Sequence, residues 1–99
     1  MIIGKGGMGK KTEKALEEYK CVYCSLTGGA GAYVAQNIKK ILDVEWLNLG
    51  TPEAVWILEV MDFGPLIVTM DSHGGNLYNE VNRKVKKNYQ TILKSNIWN

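Results

Sequence analysis

The stretch Gly4-Lys5-Gly6-Gly7-Met8-Gly9-Lys10-Lys11-Thr12 decides how this chain of 99 residues is read. It follows the apolar Met1-Ile2-Ile3 and precedes a helical pattern, so it reads as a glycine-rich turn joining a strand to a helix. Glycine lets the backbone bend through positive φ and bring its N–H groups close to a ligand. The helix that follows aims further N–H groups, and the positive end of its dipole, at the same place. Lys5 and Lys10 add point charges. A small anion is the ligand such a stretch suits.

Two kinds of anion compete for it. Gly4, four intervening residues and Gly9-Lys10 satisfy most of the G-x-x-x-x-G-K-[ST] pattern, and Lys5 to Lys10 resembles the variant loop of the nitrogenase iron protein and the partition ATPases. Where that loop needs a hydroxyl to hold Mg²⁺, this sequence has Lys11. Thr12 comes one residue late, rotated by about 100° on the emerging helix. A cationic side chain does not coordinate a cation, and the chain is short for such an ATPase. The competing reading makes the turn a carboxylate cradle.

Working outward, 99 residues allow a single domain, 1–99, with a modest core. Apolar content of 45% and charged content of 22% are those of an ordinary globular chain. The sequence has neither an apolar run long enough to span a bilayer nor a leader with a cleavage site, so no membrane role and a cytoplasmic location are expected. A net charge of +2 is too small to argue for nucleic acid. Arg83, Lys84, Lys86, Lys87 and Lys94 crowd the last segment, but a solvated helix face accounts for them.

The pair in Cys21-Val22-Tyr23-Cys24 has C-x-x-C spacing, which raises redox or metal chemistry. The surrounding residues read as a strand rather than a helix N-terminus, and residues three apart on a strand face opposite ways. Two buried, reduced thiols and no metal site are expected.

Along the chain, Lys11 to Lys20 is an amphipathic helix with Ala15, Leu16 and Tyr19 on one side. Cys21 to Ser25 is a short strand, Thr27 to Gly31 a second glycine turn, and Ala32 to Lys40 a second helix. Gly29-Ala30-Gly31 lacks the third glycine of a dinucleotide fingerprint, since Val34 stands there, and close packing is the better account. Strands follow at Ile41 to Leu47, Ala54 to Met61 and Leu66 to Met70, with Gly50-Thr51-Pro52-Glu53 and Asp62-Phe63-Gly64-Pro65 as breaks. A helix from Asn79 to about Ser95 carries Val81, Val85, Tyr89, Ile92 and Leu93 on one stripe, and the tail exposes Trp98. This is the order of an α/β chain with a mixed sheet. His73, in the glycine-rich turn Asp71-Ser72-His73-Gly74-Gly75-Asn76, is able to move a proton near neutral pH, although a surface turn histidine is the commoner case.

Several of these blocks occur in one family, in the same order. Ile3-Gly4-Lys5-Gly6-Gly7-Met8, Gly28-Gly29-Ala30, Leu49-Gly50-Thr51-Pro52-Glu53-Ala54 with Val55 to Val60, Asp62-Phe63 and Asp71-Ser72-His73-Gly74 together resemble the C-terminal part of the β subunit of iron-sulfur class I fumarase and of L-tartrate dehydratase. The resemblance runs from Gly4 to about Tyr78. It implies the swivelling β/β/α domain of those enzymes and a hydro-lyase of the tricarboxylic acid cycle that hydrates fumarate to malate, with tartrate dehydratase as the alternative. Lys5 is then the substrate-binding lysine, with Gly6 and Gly7 letting the backbone approach the dicarboxylate. A [4Fe-4S] cluster would belong to a partner α subunit and no cofactor to this chain, in an assembly of two α and two β subunits. Members of the family carry an upstream threonine- and arginine-bearing stretch that supplies proton-transfer and carboxylate-binding groups. This sequence begins after it, so the chain alone is expected to be inactive and to form a homodimer over the uncovered surface. Gly75 departs from the asparagine usual at that place. A truncated, non-catalytic module is the reading from a different class, beside a nucleotide-binding protein.

Overall fold

A computed structural model describes residues 1–95. Trp98, expected to be exposed, lies outside the described residues. The chain divides into two compact units, one formed by Met1–Ser25 with the chain from Ile67 onward and the other by Leu26–Leu66.

The first unit begins with strand β1 (Ile2–Gly4), the glycine turn, helix α1 (Lys10–Glu18) and strand β2 (Tyr23–Ser25). β1 and β2 pair in parallel, with Ile2 opposite Tyr23, Ile3 opposite Cys24 and Gly4 opposite Ser25. A parallel pair needs a crossover, which α1 provides. Strand β5 (Ile67–Met70) adds to β2 in antiparallel sense, giving a mixed sheet in the order β1-β2-β5. The α/β class and the mixed sheet expected from the sequence are both present.

α1 stops by a Schellman arrangement. Lys20 takes a left-handed φ of 53° and the Cys21 N–H reaches back to the Leu16 carbonyl at 2.8 Å. That reversal drops Leu16 onto the sheet, where it forms a core with Tyr23 and Met70, flanked by Cys21 and Tyr78. Tyr19, expected to share the inner stripe, caps the helix instead and is 72% exposed. Cys24 is buried in β2, whereas Cys21 precedes the strand and is only half-buried, and both are free thiols. The expectation of two buried thiols on one strand is corrected for Cys21, because the helix-to-strand turn extends through it.

Helix α3 (Leu77–Lys94) starts at Asn76, whose buried side chain accepts from the N–H groups of Tyr78 at 3.0 Å and Asn79 at 3.2 Å. This N-cap starts the helix two residues before the expected Asn79. Its apolar stripe, from Val81 to Leu93, is exposed.

The second unit holds helix α2 (Gly31–Ala35) and an antiparallel pair, β3 (Ile38–Glu45) and β4 (Val55–Val60), with a 3₁₀ turn at Leu47–Leu49 between the strands. Here the expected helix over Ala32 to Lys40 is corrected. Ile38 pairs with Val60 and Lys40 with Glu59, and the Asn37 carbonyl takes the Met61 N–H at 2.9 Å. Pairing across the strands overrides the helix-forming tendency of Lys39 and Lys40. β5 joins β2 rather than β4, so the strands fall into two sheets, β1-β2-β5 and β3-β4. β4 is exposed along its whole length, on both faces.

Candidate functional site

The turn between β1 and α1 is built around two peptide carbonyls that tyrosines hold. Tyr23, fully buried in β2, directs its hydroxyl to the Lys5 carbonyl at 3.4 Å. Tyr78, in the first turn of α3, donates to the Gly6 carbonyl at 2.6 Å. Ser25 at the end of β2 also reaches the Gly6 carbonyl, at 3.1 Å. Ser25 and Tyr78 are 2.5 Å apart, oxygen to oxygen, and Thr69 of β5 lies 3.0 Å from Ser25. Three separate elements therefore converge beneath this one turn.

The glycines answer to this geometry. Gly6 has φ of +71°, which L side chains rarely adopt. A Cβ on Gly7 would stand 3.2 Å from the Tyr78 ring, and one on Gly4 would stand 2.6 Å from the Tyr23 hydroxyl. Gly6 is thus needed for the bend, while Gly4 and Gly7 are needed for the close seat on the two tyrosines.

Lys5 itself is exposed, one residue beyond the end of β1. Downstream, Gly9 is the N-cap of α1 with no side-chain bond, and its carbonyl accepts from Thr12 and Glu13 at 3.0 and 3.1 Å. The first N–H groups of α1 and their dipole thus point back along the turn. Lys10 faces Arg83 and Lys86 across a shallow groove also lined by Asn79 and Asn82, about 540 Å³ in volume. These cations make the start of α1 attractive to anions. Exposed Lys5, the exposed backbone of Gly6 and Gly7 and the first turn of α1 follow one another along this stretch.

His73 lies apart from this hydroxyl cluster, on the exposed turn after β5. Its N–H and that of Gly75 both donate to one Asp71 carboxylate oxygen at 2.8 Å, and its ring nitrogen Nδ1 is 3.2 Å from the Ser72 hydroxyl. The two backbone N–H bonds hold the Asp71 carboxyl below its usual pKa, that of His73 contributing most. The turn is organised around Asp71, and the imidazole sits at its rim. Among the described residues no three His, Cys, Asp or Glu side chains converge as metal ligands.

Sequence reading selected Lys5, Gly6 and Gly7 and passed over Tyr23, Ser25, Thr69 and Tyr78. A faint signal was there: Ser25 and Thr69 are hydroxyls inside apolar strands, where each needs a partner. Nothing local linked either of them to Tyr78, 53 residues from Ser25.

A family model described as Fumarase C-terminus matches residues 1–81. The chain belongs to the fumarase C-terminus family. Among its curated relatives is a Methanocaldococcus jannaschii protein provisionally named L(+)-tartrate dehydratase subunit beta. It is 50% identical over 93 residues, covering 93% of this chain and 48% of that protein. The L(+)-tartrate dehydratase subunit beta of Escherichia coli is 40% identical over 85 residues, 86% of this chain and 42% of that one. A Geobacillus stearothermophilus protein provisionally named fumarate hydratase class I is 46% identical over 82 residues, 83% of this chain but 16% of that protein. The chain thus spans about half the length of its subunit-sized relatives and a smaller share of the fumarate hydratase. Among the described residues no helix is long and apolar enough to cross a membrane.

Proposed function

We propose that this chain is a β-type part of a hydro-lyase that reversibly adds water to a four-carbon unsaturated dicarboxylate, with Lys5 gripping a substrate carboxylate. The observation that carries the reading is the turn itself, in which a lysine within the family-matched residues stands beside glycine backbone at positive φ, between β1 and α1. An ammonium is a point charge suited to a carboxylate, and the attraction strengthens when closure over the substrate excludes water. In this reading the chain binds and orients the substrate and shields it from water. An α-type partner would hold a [4Fe-4S] cluster, which supplies an open iron as Lewis acid. The apolar strand β4 and the stripe of α3, both exposed in the free chain, support an existence within a larger assembly. We place that assembly in the cytoplasm.

Fumarate, giving malate, is the substrate we propose, in line with the Geobacillus relative's name. The beta-subunit names of the Methanocaldococcus and Escherichia relatives favour a second reading, dehydration of L(+)-tartrate.

The deciding experiment assembles the chain with its cluster-bearing partner and assays fumarate and L(+)-tartrate side by side. Lys5→Ala is expected to lower kcat/KM for the true substrate by about 10- to 100-fold, the worth of one charge-assisted bond, while leaving assembly intact. Full turnover by Lys5→Ala would sink the reading. The chain without a partner is expected to show no turnover.

A further inference from the structure

The hydroxyl cluster under the turn has only one arrangement of protons that satisfies its shortest contacts. Tyr78 makes two of them, 2.6 Å to the Gly6 carbonyl and 2.5 Å to Ser25. A carbonyl has no proton to give, so the Tyr78 proton lies on the Gly6 side. The 2.5 Å contact then takes the one Ser25 proton in preference to the longer 3.1 Å approach of Ser25 to the Gly6 carbonyl, and Thr69 supplies its own to Ser25 at 3.0 Å in preference to the Tyr23 carbonyl at 3.5 Å. The chain runs one way, from Thr69 through Ser25 and Tyr78 to the Gly6 carbonyl. Each donor in such a chain is made stronger by the bond that it accepts.

That direction fixes more than a carbonyl. In a trans peptide the C=O and the next N–H point oppositely across one plane. With the Gly6 carbonyl drawn toward Tyr78, the Gly7 N–H is turned away from the cluster, at an exposed residue two positions from Lys5. The preceding plane is held in the same sense, because Tyr23 bonds the Lys5 carbonyl and turns the Gly6 N–H outward. We infer that Tyr78 is a positioning residue, whose hydroxyl fixes the Gly6–Gly7 peptide so that the Gly7 N–H joins Lys5 in gripping a substrate carboxylate. This rests on the reading that the turn binds a dicarboxylate. Tyr78 touches no substrate in this account and acts through the turn.

The test titrates the full chain with fumarate into the millimolar range, following backbone amide shifts, with urea unfolding as a control for the fold. Tyr78→Phe keeps the ring against Gly7 and removes only the hydroxyl. It is expected to weaken apparent affinity two- to tenfold, about the worth of one neutral hydrogen bond, and to shrink the response of the Gly7 amide while the other amides remain native. Ser25→Ala should act in the same direction, and Ser25→Thr, which keeps a hydroxyl, should restore binding. In the assembled enzyme the same loss should fall on KM and not on kcat. If Lys5→Ala abolishes binding while Tyr78→Phe changes neither affinity nor the Gly7 response, the positioning role is overturned and the carboxylate reading stands. If neither substitution matters, or the wild-type amides do not move, both fall together.

Discussion

Asp71 shows how much one carboxylate can organise at the scale of the residue. One of its oxygens accepts the N–H groups of both His73 and Gly75, and those bonds favour the ionised form. Its pKa is therefore lower in the folded chain than in the unfolded one, chiefly through the His73 N–H. A lowered carboxylate pKa adds stability that is present in full above the unfolded value, near pH 4, and is lost as pH falls through the folded value. The advantage of the wild type over Asp71→Asn in urea unfolding should thus be flat above about pH 4 and shrink below it. A difference that does not change with pH would remove the carboxylate's charge from the account. The same region shows the limit of reading residues singly. His73 attracted attention as the one imidazole, yet the structural work of its turn is done by its backbone N–H.

Among the elements, α1 reveals what its sequence concealed. Its start was legible, because a glycine turn followed by strong helix formers has few other outcomes. Its end was not, since Lys20 has no left-handed tendency of its own and sits at φ 53° only because the strand that follows must turn back. A lysine in that region costs about 1 kcal/mol more than glycine. Lys20→Gly is accordingly expected to stabilise the chain by up to about 1 kcal/mol, read as a higher urea midpoint at unchanged slope. A lower midpoint would mean that the Lys20 side chain contributes more than its backbone strain removes. The error at α2 has the opposite cause. Lys39 and Lys40 are good helix formers, but the register of β3 on β4 decides their state, and no window around them contains β4. The glycine turn that carries Lys5, Gly6 and Gly7 was legible because it is local, while the meeting of Tyr23, Ser25, Thr69 and Tyr78 beneath it was not, because it is tertiary.

At the scale of the whole molecule, the sequence suggested one continuous α/β order, whereas along the chain the residues of one unit interrupt those of the other. Leu26–Leu66 leaves the first unit after Ser25 and returns at Ile67, and those two residues are partners across the β2–β5 ladder. This arrangement sets an order of events in time. The β3–β4 pair closes over a short stretch, but β2 can meet β5 only after the whole intervening unit has been spanned, and a larger loop costs more entropy to close. The Thr69 and Tyr78 hydroxyls that finish the glycine turn arrive with that late ladder. Pulse-labelled hydrogen exchange during refolding should therefore protect the amides of β3 and β4 before those of β2 and β5, and the reverse order would refute this. During synthesis the glycine turn leaves the ribosome ahead of β5 and α3, and so waits for the Thr69 and Tyr78 hydroxyls that complete it.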